Sequence, residues 1–224
     1  MAPRKHPIDL EPETPEAEEP QAEESYPPDE TAEPAPPPYH PVVAAILAAG
    51  IFLTRLPLPF AATLTPELFG RAMGWFPLIG AGLGIAAGLL FGLLVAFGVP
   101  SLVAAALVVA ALALATGALH EDGLADTADG YGGGQDAESK LEIMRDSRTG
   151  AYGVLALVLS VVIKVAAIAA LPSTWMAIKV LAVAGAMSRT AVVAHSHWQP
   201  PARSDGLSAG LGGPAQGATV LALA

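Results

Sequence analysis

Four long apolar blocks dominate the sequence, at residues 72 to 98, 101 to 119, 153 to 171 and 175 to 194. Each is near the roughly 20 residues an α-helix needs to cross about 30 Å of hydrocarbon. Composition agrees, because 53% hydrophobic and 14% charged residues, with a mean hydropathy of +0.50, are too apolar for an ordinary soluble domain. The fold class that follows is all-α, a polytopic helical membrane protein. A further apolar stretch, Val42 to Thr54, is only thirteen residues long and is bounded by Pro41, Arg55 and Pro57. It reads as a re-entrant or interfacial segment, with a short tilted span as the alternative.

Residues 1 to 41 hold twelve prolines and little that builds a core, so they read as a disordered, acidic, proline-rich tail ahead of a helical catalytic domain over 42 to 224. The formal charge of −10 sits almost entirely in that tail, where eleven acidic and two basic residues give −9 over residues 1 to 40. The other Lys and Arg are dispersed, which leaves no footprint for nucleic acid. With no cysteine, disulfides, thiolate metal sites and thiol nucleophiles are excluded. No cleavable signal peptide is evident ahead of Val42. The last residues, Gly217 to Ala224, have the composition of a span but stop far short of crossing, so the chain is expected to be truncated within a later span.

Basic residues near span ends set orientation. Arg55 and Arg71 share one loop, Lys140, Arg145 and Arg148 a second, and Arg203 lies in a third, while the turns at Val99 to Ser101 and Leu171 to Ser173 carry no charge. The basic loops are therefore assigned to the cytoplasmic face. Gly80, Gly84 and Gly88 recur every four residues and predict close approach of another helix.

The chemistry is concentrated in His120-Glu-Asp-Gly-Leu-Ala-Asp-Thr-Ala-Asp-Gly130, read as running straight on from a span. Asp122, Asp126 and Asp129 then share one helical face, within about 60° of arc. Three like charges near a helix C-terminus are costly, since the macrodipole also disfavours them there, so a compensating cation is expected. Magnesium fits best, because it takes carboxylate oxygens, keeps several waters and bridges to substrate phosphates. Neither the histidine spacing nor the lack of thiolates suits a closed zinc site. A solvated helix end is the plainer reading, but the acids stand at helical spacing with small residues between them.

Tyr131-Gly-Gly-Gly-Gln135 reads chiefly as a chain reversal, since it lacks the lysine and hydroxyl residue of a P-loop. Residues 137 to 147 read as a short amphipathic helix with Asp136 as N-cap. In the segment that follows, Asp146 is a further candidate metal ligand, and the Arg145 and Arg148 guanidinium groups suit a diphosphate, or else simply face lipid headgroups. Arg189 interrupts an apolar span and is a candidate for ligand or carboxylate pairing, whereas Lys164 and Lys179 are expected to snorkel. His195 and His197 beside Trp198 read as an interfacial belt without a catalytic role. Arg203-Ser-Asp-Gly-Leu207 reads as a substrate-facing loop.

Together these segments resemble the adenosylcobinamide-GDP ribazoletransferase family, also called cobalamin synthase. The resemblance rests on Phe52-Leu-Thr-Arg-Leu-Pro-Leu-Pro59, Trp75-Phe-Pro-Leu-Ile-Gly80, Gly117 through Gly130 and Lys140-Leu-Glu-Ile-Met-Arg-Asp-Ser-Arg-Thr-Gly150. It extends over roughly residues 42 to 215. The acidic leader is atypical, the family's later spans are absent, and Arg203 to Leu207 takes the place of an Arg-Pro-Glu-Gly-Leu-like element.

What the resemblance implies is a transferase of the bacterial cytoplasmic (inner) membrane with its site facing the cytoplasm. Its substrates would be adenosylcobinamide-GDP and α-ribazole or α-ribazole 5′-phosphate, with GMP released. Asp122, Asp126, Asp129 and Asp146 would hold one or two Mg2+, unless one of these carboxylates serves instead as base. Arg145 and Arg148 would stabilise phosphate charge, and Arg55, Glu142, Arg189 and Arg203 would face substrate. Membrane lipid is the expected surrounding, no nucleic-acid partner is expected, and a homo-oligomer is left open.

Two other functions compete. A CDP-alcohol phosphotransferase shares Asp126-Thr-Ala-Asp-Gly130 but not the continuation, where Tyr131-Gly-Gly-Gly134 stands instead of a small residue and arginine. An ion or solute transporter would place its acids nearer the midplane and show an inverted repeat of hydropathy.

Overall fold

A computed structural model describes residues 39–59 and 63–223. Nearly all of the tail read over residues 1 to 41 lies outside them. All the regular structure among the described residues is helical, and the elements follow one another as α1 (Pro41–Leu53), α2 (Pro66–Ala72), a 3-10 turn (Met73–Trp75), α3 (Phe76–Ala96), α4 (Ser101–Thr116), α5 (Leu119–Gly133), α6 (Ala137–Ile143), α7 (Ala151–Ala169), α8 (Thr174–Trp198), α9 (Leu207–Leu211) and α10 (Gln216–Leu223). The all-helical, polytopic fold class expected from the apolar blocks holds.

Among the described residues, three helices are long and apolar enough to cross a membrane: Pro66–Ala96, Ala151–Ala169 and Thr174–Trp198. A fourth crossing requires α4 and α5 together, and these are bent by 92°. α7 displays its side chains outward, with Val154, Leu155, Val158, Leu159, Val162 and Ile163 all more than half exposed. So large an apolar face is stable only against a nonpolar surrounding, which for a helix of this length is lipid.

α3 and α8 form the tightest pair. A Cβ at Gly84 would fall on the Leu181 carbonyl, one at Gly80 on the Gly185 carbonyl, and one at Gly88 2.5 Å from the Ile178 Cα. The glycine stripe is thus a backbone-to-backbone seam, which is what small residues permit between helices where lipid removes the hydrophobic drive to associate. Around it, Phe52 stacks on Phe76 with centroids 5.7 Å apart and meets Phe69 edge-on at 4.8 Å, tying α1 and α2 to the start of α3. α1 is an alanine-faced helix, burying Ala44, Ala45, Ala48 and Ala49 in this corner. Its Pro41 occupies the first turn, where a missing N–H is harmless. α10 closes the same side, with the Thr190 hydroxyl donating to the Ala222 carbonyl at 3.2 Å.

The structure departs from the sequence reading at one point that matters for the site. α4 does not run straight into the aspartates. Gly117 and Ala118 both take left-handed backbone angles, φ +64° and +57°, and the chain restarts as α5. Glu121 and Asp122 therefore lie in the first turn of a helix, where the macrodipole favours anions, instead of at a C-terminus where it opposes them. A Cβ at Gly117 would also strike the Arg55 side chain, whose backbone N–H donates to the Ala115 carbonyl at 2.7 Å. Gly117→Ala is accordingly expected to destabilise the fold by about 1–2 kcal/mol through its left-handed conformation, before any cost from displacing Arg55. A thermal melt of the detergent-solubilised variant measures it.

Candidate functional site

α5 carries the acidic motif, and α6, α7 and the loop after α8 surround it. Asp122 is exposed, Asp126 is partly exposed and Asp129 is buried at 8% exposure. The difference has a clear cause. Asp129 points at the N-terminus of α7, where Oδ2 accepts the Gly150 N–H at 2.7 Å and Oδ1 accepts the Gly153 N–H at 2.8 Å. The first N–H groups of a helix lack intrahelical partners, and a carboxylate there satisfies two of them and meets the positive end of the dipole. Glycine at 150 and 153 is what allows this approach, since a Cβ at Gly150 would sit 2.5 Å from Oδ1 and one at Gly153 would collide with Oδ2. Asp129 thus locks α5 to α7.

Replacing it by Asn leaves one acceptor and places an NH2 against an N–H. Asp129→Asn is expected to cost about 1–3 kcal/mol, read as a lower melting temperature in detergent. A variant as stable as the parent would mean that the two backbone bonds contribute nothing.

Asp146, the fourth acidic candidate, is exposed and holds Arg148, with Nη2 2.6 Å and Nε 3.0 Å from its Oδ2. The Arg148 guanidinium holds the Asp146 carboxyl below the usual carboxylate range, helped by the Arg148 backbone N–H. The pair is consequently intact at neutral pH and is lost only when acid falls through that lowered value. Arg145, on the other side of Asp146, reaches Asp205 instead, and its Nη2 donates to both carboxylate oxygens at 2.9 and 2.7 Å. Arg203 lies 3.9 Å from the same Asp205, and at Asp126 its charge offsets only a small part of the burial and of the like charges of Asp122 and Asp129. Arg145 therefore ties the loop read as substrate-facing to the segment after α6, and Arg203 belongs to that loop.

α6 begins as expected, with the Asp136 carboxylate accepting the Ser139 N–H at 2.8 Å and the Ser139 hydroxyl 3.2 Å from the Asp136 N–H, but it ends at Ile143 instead of 147. Glu142 on it is exposed. Arg55 lies at the α4–α5 bend against Gly117.

Arg189 is placed elsewhere. It lines a cavity of about 370 Å3 between α3, α4, α7 and α8 that also receives His120, Glu121 and Lys164. Lys164 does not snorkel, since it turns inward to pair with Glu121 at 3.0 Å. Lys179 lies over the Trp175 ring, 4.9 Å from its centroid. His197 Nδ1 is 3.3 Å from the Thr219 hydroxyl. The sequence reading gave Glu121 no role and Lys164 only a snorkelling one, because the two are 43 residues apart and no local pattern joins them.

Among the described residues, no three His, Asp or Glu side chains gather closely enough to hold a metal ion between them. Asp129 has both oxygens on backbone N–H groups and Asp146 has both on Arg148, which leaves Asp122 and Asp126 as the free pair. A pair does not suit an all-protein cage. It does suit magnesium, which is commonly held by one or two carboxylates with waters and substrate phosphates completing the shell.

A family model described as cobalamin-5-phosphate synthase matches residues 45–224. The adenosylcobinamide-GDP ribazoletransferase of Sinorhizobium medicae is 50% identical over 177 residues, 77% of this chain and 67% of the relative. That of Bradyrhizobium diazoefficiens is 43% identical over 183 residues, 82% and 70% of the two chains. The Azorhizobium caulinodans protein of the same name is 46% identical over 186 residues, 80% and 70%. No solved structure matches the chain.

Proposed function

Because the chain belongs to the cobalamin-5-phosphate synthase family, we propose that it is an adenosylcobinamide-GDP ribazoletransferase, catalysing the final step of cobalamin synthesis. The reading is carried by the family match across residues 45–224, which includes the whole acidic motif. The acceptor is α-ribazole or its 5′-phosphate. Its hydroxyl oxygen bonds to the corrinoid-side phosphorus of the diphosphate, the bridging P–O bond breaks, and GMP leaves with the electron pair. The enzyme works in the bacterial inner membrane with its acidic face toward the cytoplasm, the side to which the basic loops point.

Such a transfer needs alignment and charge neutralisation more than covalent help. Asp122 and Asp126 would hold Mg2+, which when bound supplies positive charge to the diphosphate and to the departing phosphate. A carboxylate of this face takes the proton of the attacking hydroxyl. Arg145 and Arg203, gathered by Asp205, offer guanidinium donors to the phosphates, and Arg148 stands beside them. Asp129 keeps α5 and α7 in register beneath the reacting groups.

The test is direct. Full chain reconstituted in liposomes with Mg2+, adenosylcobinamide-GDP and α-ribazole should release GMP and form adenosylcobalamin in equal amounts. Corrinoid conversion without GMP, or no conversion of either acceptor form, refutes the reading.

A further inference from the structure

The cavity around Arg189 lies apart from the acidic face, and its contents are not used by the transfer as described. Leu83, Leu112, Ile168 and Leu181 make an apolar wall, and the polar groups are collected at one end, where His120 and Glu121 of α5 meet Lys164 and Arg189. The charges do not balance. Glu121 is 3.0 Å from Lys164 and neutralises it. Arg189 has no ion pair within 4 Å among the described residues, and its buried Nε has no hydrogen-bond partner, the one contact of the guanidinium being Nη1 to the Ser188 hydroxyl at 2.8 Å. An unpaired guanidinium within a span is expensive, and its planar fork matches a phosphate.

The volume of about 370 Å3 and the mostly apolar lining with a few convergent polar groups are those of a small-molecule site. Depth narrows the occupant. Arg189 stands nine residues before the end of α8 at Trp198, about 14 Å along the axis, and fifteen residues after its start at Thr174. A phospholipid headgroup stays at the interface, so the anion that reaches this depth belongs to a small molecule with an apolar body. The first turn of α5 connects the two places, with His120 and Glu121 in the cavity and Asp122 on the acidic face.

Resting on the transferase reading, we propose that this cavity is the acceptor subsite: Arg189 holds the phosphate of α-ribazole 5′-phosphate, and the apolar wall takes its aromatic base. The cavity thereby sets a preference for the phosphorylated acceptor over free α-ribazole.

The experiment compares the parent protein with Arg189→Gln and Arg189→Lys, all as full chains in phosphatidylcholine vesicles. Losing a charge-assisted bond should raise KM for α-ribazole 5′-phosphate by about 10- to 100-fold, leave KM for α-ribazole within about twofold of the parent, and be partly reversed by lysine. Calorimetric titration with α-ribazole 5′-phosphate, and separately with inorganic phosphate, reads the same loss of binding without turnover. An equal rise for both acceptors, or no change in either KM or titration, overturns the proposal. Adding phosphatidylglycerol separates the remaining source of phosphate: competition by anionic lipid that disappears in Arg189→Gln assigns the cavity to a lipid headgroup and also overturns it. Failure of the parent to release GMP from either acceptor defeats the transferase reading instead, and the titration still decides whether the cavity binds the phosphate ester.

Discussion

Asp126→Asn should lower magnesium-dependent turnover by roughly 1000-fold while leaving the protein folded and membrane-inserted. The substitution preserves shape and removes one negative charge from a face where Asp122 and Asp129 are its like-charged neighbours. Folding should tolerate or even gain from that change, because the repulsion it relieves is a cost borne by the ion-free protein. Catalysis should not tolerate it, since a neutral amide gives magnesium a weaker donor and leaves the pair with a single carboxylate. Initial rates of GMP release against Mg2+ concentration measure the loss, and a thermal melt in detergent controls for folding. The contrast with Asp129→Asn is part of the expectation. That variant should lose stability first, because its parent carboxylate is spent on the Gly150 and Gly153 N–H groups. Parental turnover in Asp126→Asn would remove the residue from the reaction.

Gly84→Leu is expected to have the largest effect on stability, at least about 3 kcal/mol. The new Cβ would fall on the Leu181 carbonyl, with the Leu181 carbon and the Ala182 Cα immediately behind it. All of these are backbone, so nothing flexible can give way and α3 must separate from α8. Gly82 is the internal control: it lies two residues away on the same helix, and a Cβ there meets nothing within 4 Å. Gly82→Leu should melt within a degree or two of the parent while Gly84→Leu melts far lower or fails to accumulate. Similar melting of the two would mean that the glycine seam does not hold the pair together.

Much of this architecture is legible in the sequence, because membrane helices write themselves as length and hydropathy. The spans beginning near residues 153 and 175 appear as α7 and α8, and the glycine stripe at 80, 84 and 88 faces a partner helix. What the pattern does not contain is direction. Gly117-Ala118 carries no apolar signature, and only the left-handed angles at both residues reveal that the chain turns by 92° before the aspartates. That turn reverses the sign of the dipole argument, placing Asp122 at the start of a helix.

Helical spacing likewise put Asp122, Asp126 and Asp129 on one face, but spacing along one helix is blind to what the next helix brings. The α7 N-terminus claims Asp129, and Arg148 claims Asp146. Arg145 and Asp205 are 60 residues apart, so no local pattern joins them. The inward turn of Lys164 to Glu121 was hidden for the same reason, 43 residues separating the two.

On this proposal the free carboxylates of Asp122 and Asp126 hold a divalent ion that the substrate diphosphate shares. Mn2+, a hard cation of similar ligand preference, reports on this by electron paramagnetic resonance. Titrated into the reconstituted protein with adenosylcobinamide-GDP, it should give the signal of a bound ion that needs both protein and diphosphate, and that signal should vanish in the Asp122→Asn, Asp126→Asn double variant. Equal binding by the double variant, or binding that ignores the diphosphate, would mean that Asp122 and Asp126 do not hold a shared ion.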